Sequence, residues 1–306
     1  MPIPVWFLTL PGVMTLDLTG PAETLKLAKG AFSPRYIGPQ DAVITSTDMT
    51  ISRIEPLPES LPDGSLLVVP GVFDSSICFD TPQALIARNW LMQLQPAIYA
   101  RKITLVCVCS GTLLAARAGL MQGVQCTTHH EVLARLKAAD PRALVKENRI
   151  FIEDRGIWTS AGITAGIDLA LHLIQRLCGS QMALEVAREM VVYFRRSGDD
   201  PQLSPWLSYR NHLNPAIHRA QDLLIQHPEK SWQLEEIAGR VHVSARHLTR
   251  LFRQHLGISV RDYHEQLRLA VAQQRVTQGE GAERAALAAG FSSSRQLRRA
   301  ALRWQR

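Results

Sequence analysis

Leu234-Glu-Glu-Ile-Ala-Gly-Arg-Val-His-Val-Ser-Ala-Arg-His-Leu-Thr-Arg-Leu-Phe252 reads as two short helices joined by a tight connection. Leu234, Ile237, Ala238 and Val241 recur at three- and four-residue spacing and form one apolar stripe. Ala238 is small, so a neighbouring helix can approach closely. Ser244 suits an N-cap, its hydroxyl accepting from backbone amides of the next turn. Leu248, Leu251 and Phe252 point the second helix toward a core. Arg246, His247, Thr249, Arg250, Arg253 and Gln254 remain outward, a donor-rich face on a helix of the size a major groove admits.

The pattern returns in Arg284-Ala-Ala-Leu-Ala-Ala-Gly-Phe-Ser-Ser-Ser-Arg-Gln-Leu-Arg-Arg-Ala300. Leu287, Ala288 and Phe291 are expected on its core side, Ser292 to Ser294 at a cap, and Leu297 as the anchor of the following helix. Arg295, Gln296, Arg298 and Arg299 are expected outward. A longer helix over 259–276 would set the separation of the two copies, and recognition helices about 34 Å apart would enter successive major grooves. Charge points the same way. Residues 209–306 hold 16 Lys/Arg against 8 Asp/Glu, a net of +8, whereas residues 1–208 hold 18 against 19, a net of −1. A basic, helically patterned tail on a near-neutral body suits a polyanionic partner. A solvated basic bundle face, or arginines that touch only phosphates, is the plainer use of such residues.

At 306 residues, with 46% hydrophobic and 20% charged side chains, two soluble domains are the expectation. No apolar run reaches the ~20 residues of a membrane span. The start, residues 1–10, reads as a strand without the basic lead or small-residue cleavage site of a signal peptide, so cytoplasm is the expected compartment. The five cysteines, Cys78, Cys107, Cys109, Cys126 and Cys178, all lie in the body. They form no CxxC pair or spaced ligand set, so neither a metal, a cofactor nor a disulfide framework is expected.

The body alternates apolar strands with helical patterns, which predicts a parallel sheet covered by helices. Strands are expected over 3–10, 65–69 and 103–109, and helices over 22–29, 82–95, 112–118, 130–138, 166–178 and 181–194. The polar stretch near 197–208 is the best boundary. Three segments carry chemistry. Asp17 and Glu23 flank a Gly-Pro turn at a helix start. Cys109-Ser110-Gly111 is a sharp strand-to-helix turn, where a helix amino terminus would lower the pKa of a thiol. The stretches 127–130 and 160–168 are turn-rich and fall at strand ends, where open parallel sheets bind ligands. Bland uses exist for each: Asp17 as a turn residue, Glu23 beside a helix dipole, Asp168 and the pair His129–His130 as structural residues, and Cys109 as an inert elbow.

The tail run Leu234, Ile237, Ala238, Ser244, Arg246, Leu248, Arg250, Phe252 and Gly257, continued by Tyr263, Arg268, Ala272 and Gly290-Phe291-Ser292, resembles the AraC/XylS-type DNA-binding domain over residues 213–304. Ala301 stands where that family usually has an aromatic, and Trp304 is placed to fill some of the missing core. The body, over about residues 3–178, resembles the PfpI-type, class I glutamine-amidotransferase-like fold. Its likeness is strongest to the members joined to AraC-type tails and to the isonitrile hydratases. The resemblance implies an α/β class: a parallel-sheet, flavodoxin-like sandwich over 1–196, a linker over 197–212, and an all-α domain with two helix-turn-helix modules over 213–306. It implies a site of Cys109, Asp17 or Glu23, Gly71, Ser110 and His129. The family's Gly-Gly turn is half present as Pro70-Gly71-Val72, and Ser110 replaces the histidine of the protease-like Cys-His pair, which argues against peptidase chemistry.

The expected protein is a bacterial-type transcription regulator that binds double-stranded DNA, senses a small-molecule effector and forms a homodimer, without membrane contact. Ser244, Arg246, His247, Arg250 and Arg253 would bind DNA in the first module, and Ser294, Arg295, Gln296, Arg298 and Arg299 in the second. The rival reading is a Cys-dependent small-molecule hydrolase or hydratase with an accessory helical domain, and a third is a DNA binder without sequence preference.

Overall fold

The computed structural model describes residues 2–192, 196–198, 202, 209, 212, 214–277 and 279–304. The chain separates into two compact units, Met1–Gln202 and Leu203–Arg306. The linker expected over 197–212 lies mostly outside the described residues.

The first unit contains strands β1 (Ile3–Leu8), β2 (Phe32–Gly38), β3 (Ala42–Ile44), β4 (Thr50–Ser52), β5 (Glu55–Pro56), β6 (Ser65–Val69), β7 (Ile103–Val108), β8 (Gln125–Cys126), β9 (Leu144–Val145), β10 (Phe151–Asp154) and β11 (Ile157–Ser160). Its helices are α1 (Thr15–Lys26), α2 (Pro82–Gln93), α3 (Gln95–Tyr99), α4 (Gly111–Arg117), α5 (Leu133–Ala139), α6 (Ala165–Cys178) and α7 (Ser180–Glu189). The main sheet has the order β10-β11-β7-β6-β1-β2-β5. Its pairs are parallel except β10–β11.

Strand periodicity divides the core between two faces. Trp6, Leu8, Leu67, Val69, Leu105 and Cys107 pack with Leu91 of α2, Ile98 of α3 and Leu114 of α4. Val5, Phe7, Leu66, Val68, Val106 and Val108 pack with Leu18 of α1 and Leu169 of α6. Successive side chains on a strand point to opposite faces, so a strand covered on both sides must be apolar at every position. That is why β6 and β7 read as unbroken apolar runs.

Three expectations need correction. The Gly20-Pro21 pair does not form a turn before a helix; α1 starts at Thr15 and runs through it. Proline costs a helix one backbone hydrogen bond. Here α1 lies close against α6, with Gly20 facing Ile167 and Pro21 facing Gly166. The last described helix of the unit, α7, ends at Glu189, short of the expected 194, and Phe194 lies outside the described residues. The strands β2, β5, β10 and β11 of the main sheet were not expected; in β2, Phe32-Ser-Pro-Arg-Tyr-Ile-Gly38 lacks an apolar run.

The described part of the second unit is helical: α8 (Pro215–Gln226), α9 (Leu234–Arg240), α10 (Ala245–Leu256), α11 (Val260–Thr277), α12 (Ala282–Ala288) and α13 (Ser294–Trp304). Ile237, Ala238, Val241, Leu248, Phe252, Tyr263 and Leu267 form one core with Ile217 and Leu224 of α8. Leu269, Ala272, Ala286, Ala289, Phe291, Leu297 and Ala300 form a second. Trp304 packs against both. Leu287 is not a core residue: it is 57% exposed, and Ala285, Ala286 and Ala289 take the buried stripe. Side chains that small hold α12 close to α11 and turn the bulkier Leu287 outward.

Candidate effector site and nucleic-acid interface

In the first unit, β11, β7, β6 and β1 are adjacent and parallel, so their carboxyl ends open on one edge. The loops leaving them bring Ile163, Cys109, Gly71 and Asp17 together, at the place where open α/β sheets hold ligands. Cys109 sits between β7 and α4 at φ +55°, the left-handed conformation of a sharp elbow. Its N–H donates to the Ser160 carbonyl at 3.1 Å, and its own carbonyl accepts from the Thr128 hydroxyl at 2.7 Å. Glycine is required on both sides of the elbow. A Cβ on Gly162 would stand 2.2 Å from the Cys109 Cβ, and one on Gly71 would stand 2.6 Å from Asp17 Oδ2.

Asp17 is fully buried. The Ile163 N–H donates to its Oδ1 at 2.6 Å. Burial pushes its carboxyl up to about 6, against the smaller lowering pull of Ile163, Cys109 and Gly71. Ile163 is a β-branched residue at φ +51°, a costly conformation maintained where this hydrogen bond forms. Burial also drives the Cys109 thiol well above its ordinary range, with the Asp17 charge adding to it. The expected lowering by the α4 amino terminus is therefore overturned. A dry site beside a carboxylate disfavours thiolate more than one short helix favours it. The pair is a neutral thiol and a carboxyl poised near neutrality, not an activated nucleophile.

The remaining expected residues divide. The Ser110 hydroxyl accepts from the Val72 N–H at 3.0 Å and so fastens the turn 70–72 to the elbow. His129 is half-buried, lies tilted against His130 with ring centroids 4.2 Å apart and is 3.8 Å from Glu131. Burial is the main cause holding its pKa down. Glu23 does not join Asp17. It is exposed on α1, in a groove with Thr19, Lys26, Pro34 and Tyr36. Asp168 is engaged by Arg196, whose Nε and Nη2 donate to Oδ2 at 2.9 and 2.6 Å. Thr128 and Ile163 lie in the two turn-rich segments singled out by sequence, but nothing in their residue types marked them individually.

In the second unit, Ser244 caps α10 and accepts from the His247 N–H at 3.2 Å. Arg246, His247, Arg250, Arg253 and Gln254 are exposed along α10. Arg250 donates to His247 Nδ1 at 3.2 Å and to Gln254 Oε1 at 3.4 Å, so its guanidinium is oriented along the helix face. On α13, Arg295, Gln296, Arg298 and Arg299 are exposed. Gln296 differs from the arginines, because its Oε1 accepts from the Ser292 N–H at 2.6 Å and the Ser292 hydroxyl at 2.9 Å. Ser294 is half-buried at the helix start, its N–H donating to Glu283 at 3.0 Å. Arg268, half-buried on α11, donates to the carbonyls of Pro228 and Lys230 at 2.8 Å each and locks the loop before α9.

Comparison with known proteins fits both units. Residues 4–176 match the DJ-1/PfpI family, and residues 237–305 match a helix-turn-helix domain family. The HTH-type transcriptional regulator CdhR of Pseudomonas aeruginosa is 31% identical over 297 residues, covering 94% of this chain and 84% of that protein. The chain belongs to the AraC-type regulators that carry an amino-terminal DJ-1/PfpI domain. The regulator GbdR, also of Pseudomonas aeruginosa, is 37% identical over 172 residues, 56% of this chain. This chain spans about half of GbdR's length, 46%. An isonitrile hydratase of Pseudomonas putida is 32% identical over 187 residues, 60% of this chain and 75% of that enzyme. The crystal structure of an AraC family transcriptional regulator from Pseudomonas putida superposes with a TM-score of 0.53 at 23% identity, covering 62% of this chain and all of that one, and shows the shared fold. The joined architecture, a DJ-1/PfpI domain followed by a helix-turn-helix domain, runs along nearly the whole length matched to CdhR. Among the described residues no helix is long and apolar enough to cross a membrane.

Proposed function

We propose that this regulator binds specific sites in double-stranded DNA through α10 and α13, and that the buried site around Cys109 and Asp17 responds to a small-molecule effector. The observation that carries the reading is the repeated module: two capped helices, each with an anchored apolar side and an exposed arginine-rich face. Arg246, His247 and Arg250 are the candidates for base edges in the first module. Arg295, Gln296 and Arg299 are the candidates in the second. Ser244, Arg253, Ser294 and Arg298 suit phosphates, which give affinity and register without sequence information. Gln296 must leave its cap before it can meet a base.

Asp17, Gly71, Cys109, Ser110 and His129 make up the effector site in this reading, and Glu23 stays outside it. A second copy of the chain is proposed as partner on the first unit. Phe73, Ile77, Ile44 and Met49 are exposed on neighbouring segments, joined by Gly12 N–H to Ile44 carbonyl at 2.8 Å and Phe73 N–H to Gly12 carbonyl at 2.9 Å. Contiguous exposed apolar surface of this kind marks association sites. Cytoplasm is the compartment that goes with DNA binding.

Selection of DNA from a random pool by the purified chain, followed by footprinting, tests the reading. Discrete protected sites with half-sites about one helical turn apart are expected. Uniform, sequence-independent protection would leave only a non-specific binder.

A further inference from the structure

Gln202 is the last residue of the first unit, and Leu203 begins the second. Its side chain does not point to solvent. Gln202 is 9% exposed, and its Nε2 donates to the Thr128 carbonyl at 2.8 Å and the Arg149 carbonyl at 2.9 Å, with the Thr127 hydroxyl at 3.4 Å. Thr128 in turn places its hydroxyl 2.7 Å from the carbonyl of Cys109. A single residue therefore joins the elbow to the point where the chain leaves the body. Residues before it are fastened too: the Ile150 N–H donates to the Gly198 carbonyl at 3.1 Å, and Arg196 engages Asp168.

We propose that Gln202 is a latch through which the state of the Cys109 elbow governs the chain's exit toward the DNA-binding unit; this rests on the effector reading above. The elbow has little freedom. Cys109 is held through both its N–H and its carbonyl, and the backbone of Gly162 closes over its side chain. A ligand that displaces Cys109 must carry Thr128 with it, because that hydroxyl is buried against the elbow. Displacing the Thr128 carbonyl strips an acceptor from a buried amide. A buried donor left without a partner is costly, so Gln202 either keeps its acceptors or leaves its socket. Two discrete arrangements are what a ligand needs to shift a population. Gln202 and Thr128 are positioning residues in this scheme, since neither need touch the effector.

Hydrogen exchange of the full chain, followed by mass spectrometry, tests the latch. Thr128→Val removes the hydroxyl at nearly constant shape, and Thr128→Ser retains it. Gln202→Met keeps the length of the side chain and removes its donors. Thr128→Val should speed exchange in peptides containing Gln202 about tenfold, the factor that one lost hydrogen bond produces. Gln202→Met should do the same at the Cys109 turn, although Gln202 and the Thr128 that links it there are already 74 residues apart in sequence, and Thr128→Ser should match the parent chain. General loosening of the sheet in Thr128→Val would hand the decision to Gln202→Met, read at the Cys109 turn. Exchange changes confined to the mutated segment in both variants overturn the latch. Mobility shifts on the same samples separate the two ideas. A chain that never retards DNA defeats the regulator reading, and one that retards DNA without remote exchange changes defeats the latch alone.

Discussion

Asp17 shows how burial decides the behaviour of one side chain. Its carboxyl titrates at 3.8 when solvated and near 6 in the fold. Between those pH values the folded chain binds a proton that the unfolded chain does not, so stability falls as pH rises through the window. Below 3.8 the effect is absent, and above about 6 the whole penalty stands, about 3 kcal/mol from the size of the shift. Asp17→Asn should remove this slope, read as the difference between the two chains in urea unfolding at pH 4 and pH 7. Parallel pH profiles would show that Asp17 is not the titrating group. Arg250 belongs to the same scale. Arg250→Ala should cost about 1–3 kcal/mol in DNA affinity and relax one base position if the guanidinium holds a guanine. Equal loss on every sequence in a binding competition would make it a phosphate contact. Sequence could name Asp17, Cys109 and Arg250 from their neighbours. It missed the rise of the Cys109 thiol, because dryness around a group belongs to the fold and has no signature in the residues beside it.

At the scale of elements, caps and periodicity were legible, and their partners less so. Ser244 caps α10 and Ser259 caps α11, its hydroxyl accepting from the Asp262 N–H at 3.0 Å, both at positions a helix start demands. Ser244→Ala should destabilise the second unit by about 1 kcal/mol in thermal unfolding, while Ser292→Ala, which spares the cap at Ser293, should cost less. Equal losses would mean that the Gln296–Ser292 bonds matter as much as the cap. The second module reads differently in the fold than in the chain. Leu287 has the spacing of a core residue, yet three alanines bury themselves instead, because α12 packs too closely for a leucine. The Gly-Pro pair in α1 has the composition of a turn, yet the helix continues through it against α6. In both cases a neighbouring element outweighed a local preference of under a few kcal/mol.

At the scale of the whole molecule, one group in each unit should respond to acid in opposite senses. His264, buried on α11, donates through Nε2 to the Pro228 carbonyl at 2.7 Å, and its pKa is pushed down to about 4, chiefly by burial and then by Arg268. Its folded value lies below the unfolded 6.5, so its contribution is intact above 6.5 and is lost as pH falls toward 4. Asp17 has the reverse sign over nearly the same window. From pH 6.5 to 4, exchange protection attributable to Asp17 should rise in the first unit while that attributable to His264 falls in the second. Asp17→Asn and His264→Gln should each remove their own contribution from their unit's profile, and a common response of both units to either change would contradict the assignment. What the sequence by itself determined is the division into an α/β body and a basic helical tail, and the duplicated module, because apolar periodicity and charge are local properties that any stable packing must respect. The tertiary structure alone decided that Asp17 rather than Glu23 faces Cys109, that both groups are held toward their neutral forms, and that Gln202 reaches Thr128. Those outcomes depend on which strands lie side by side and how much water is left between them, and neither is written in the spacing of residues along the chain.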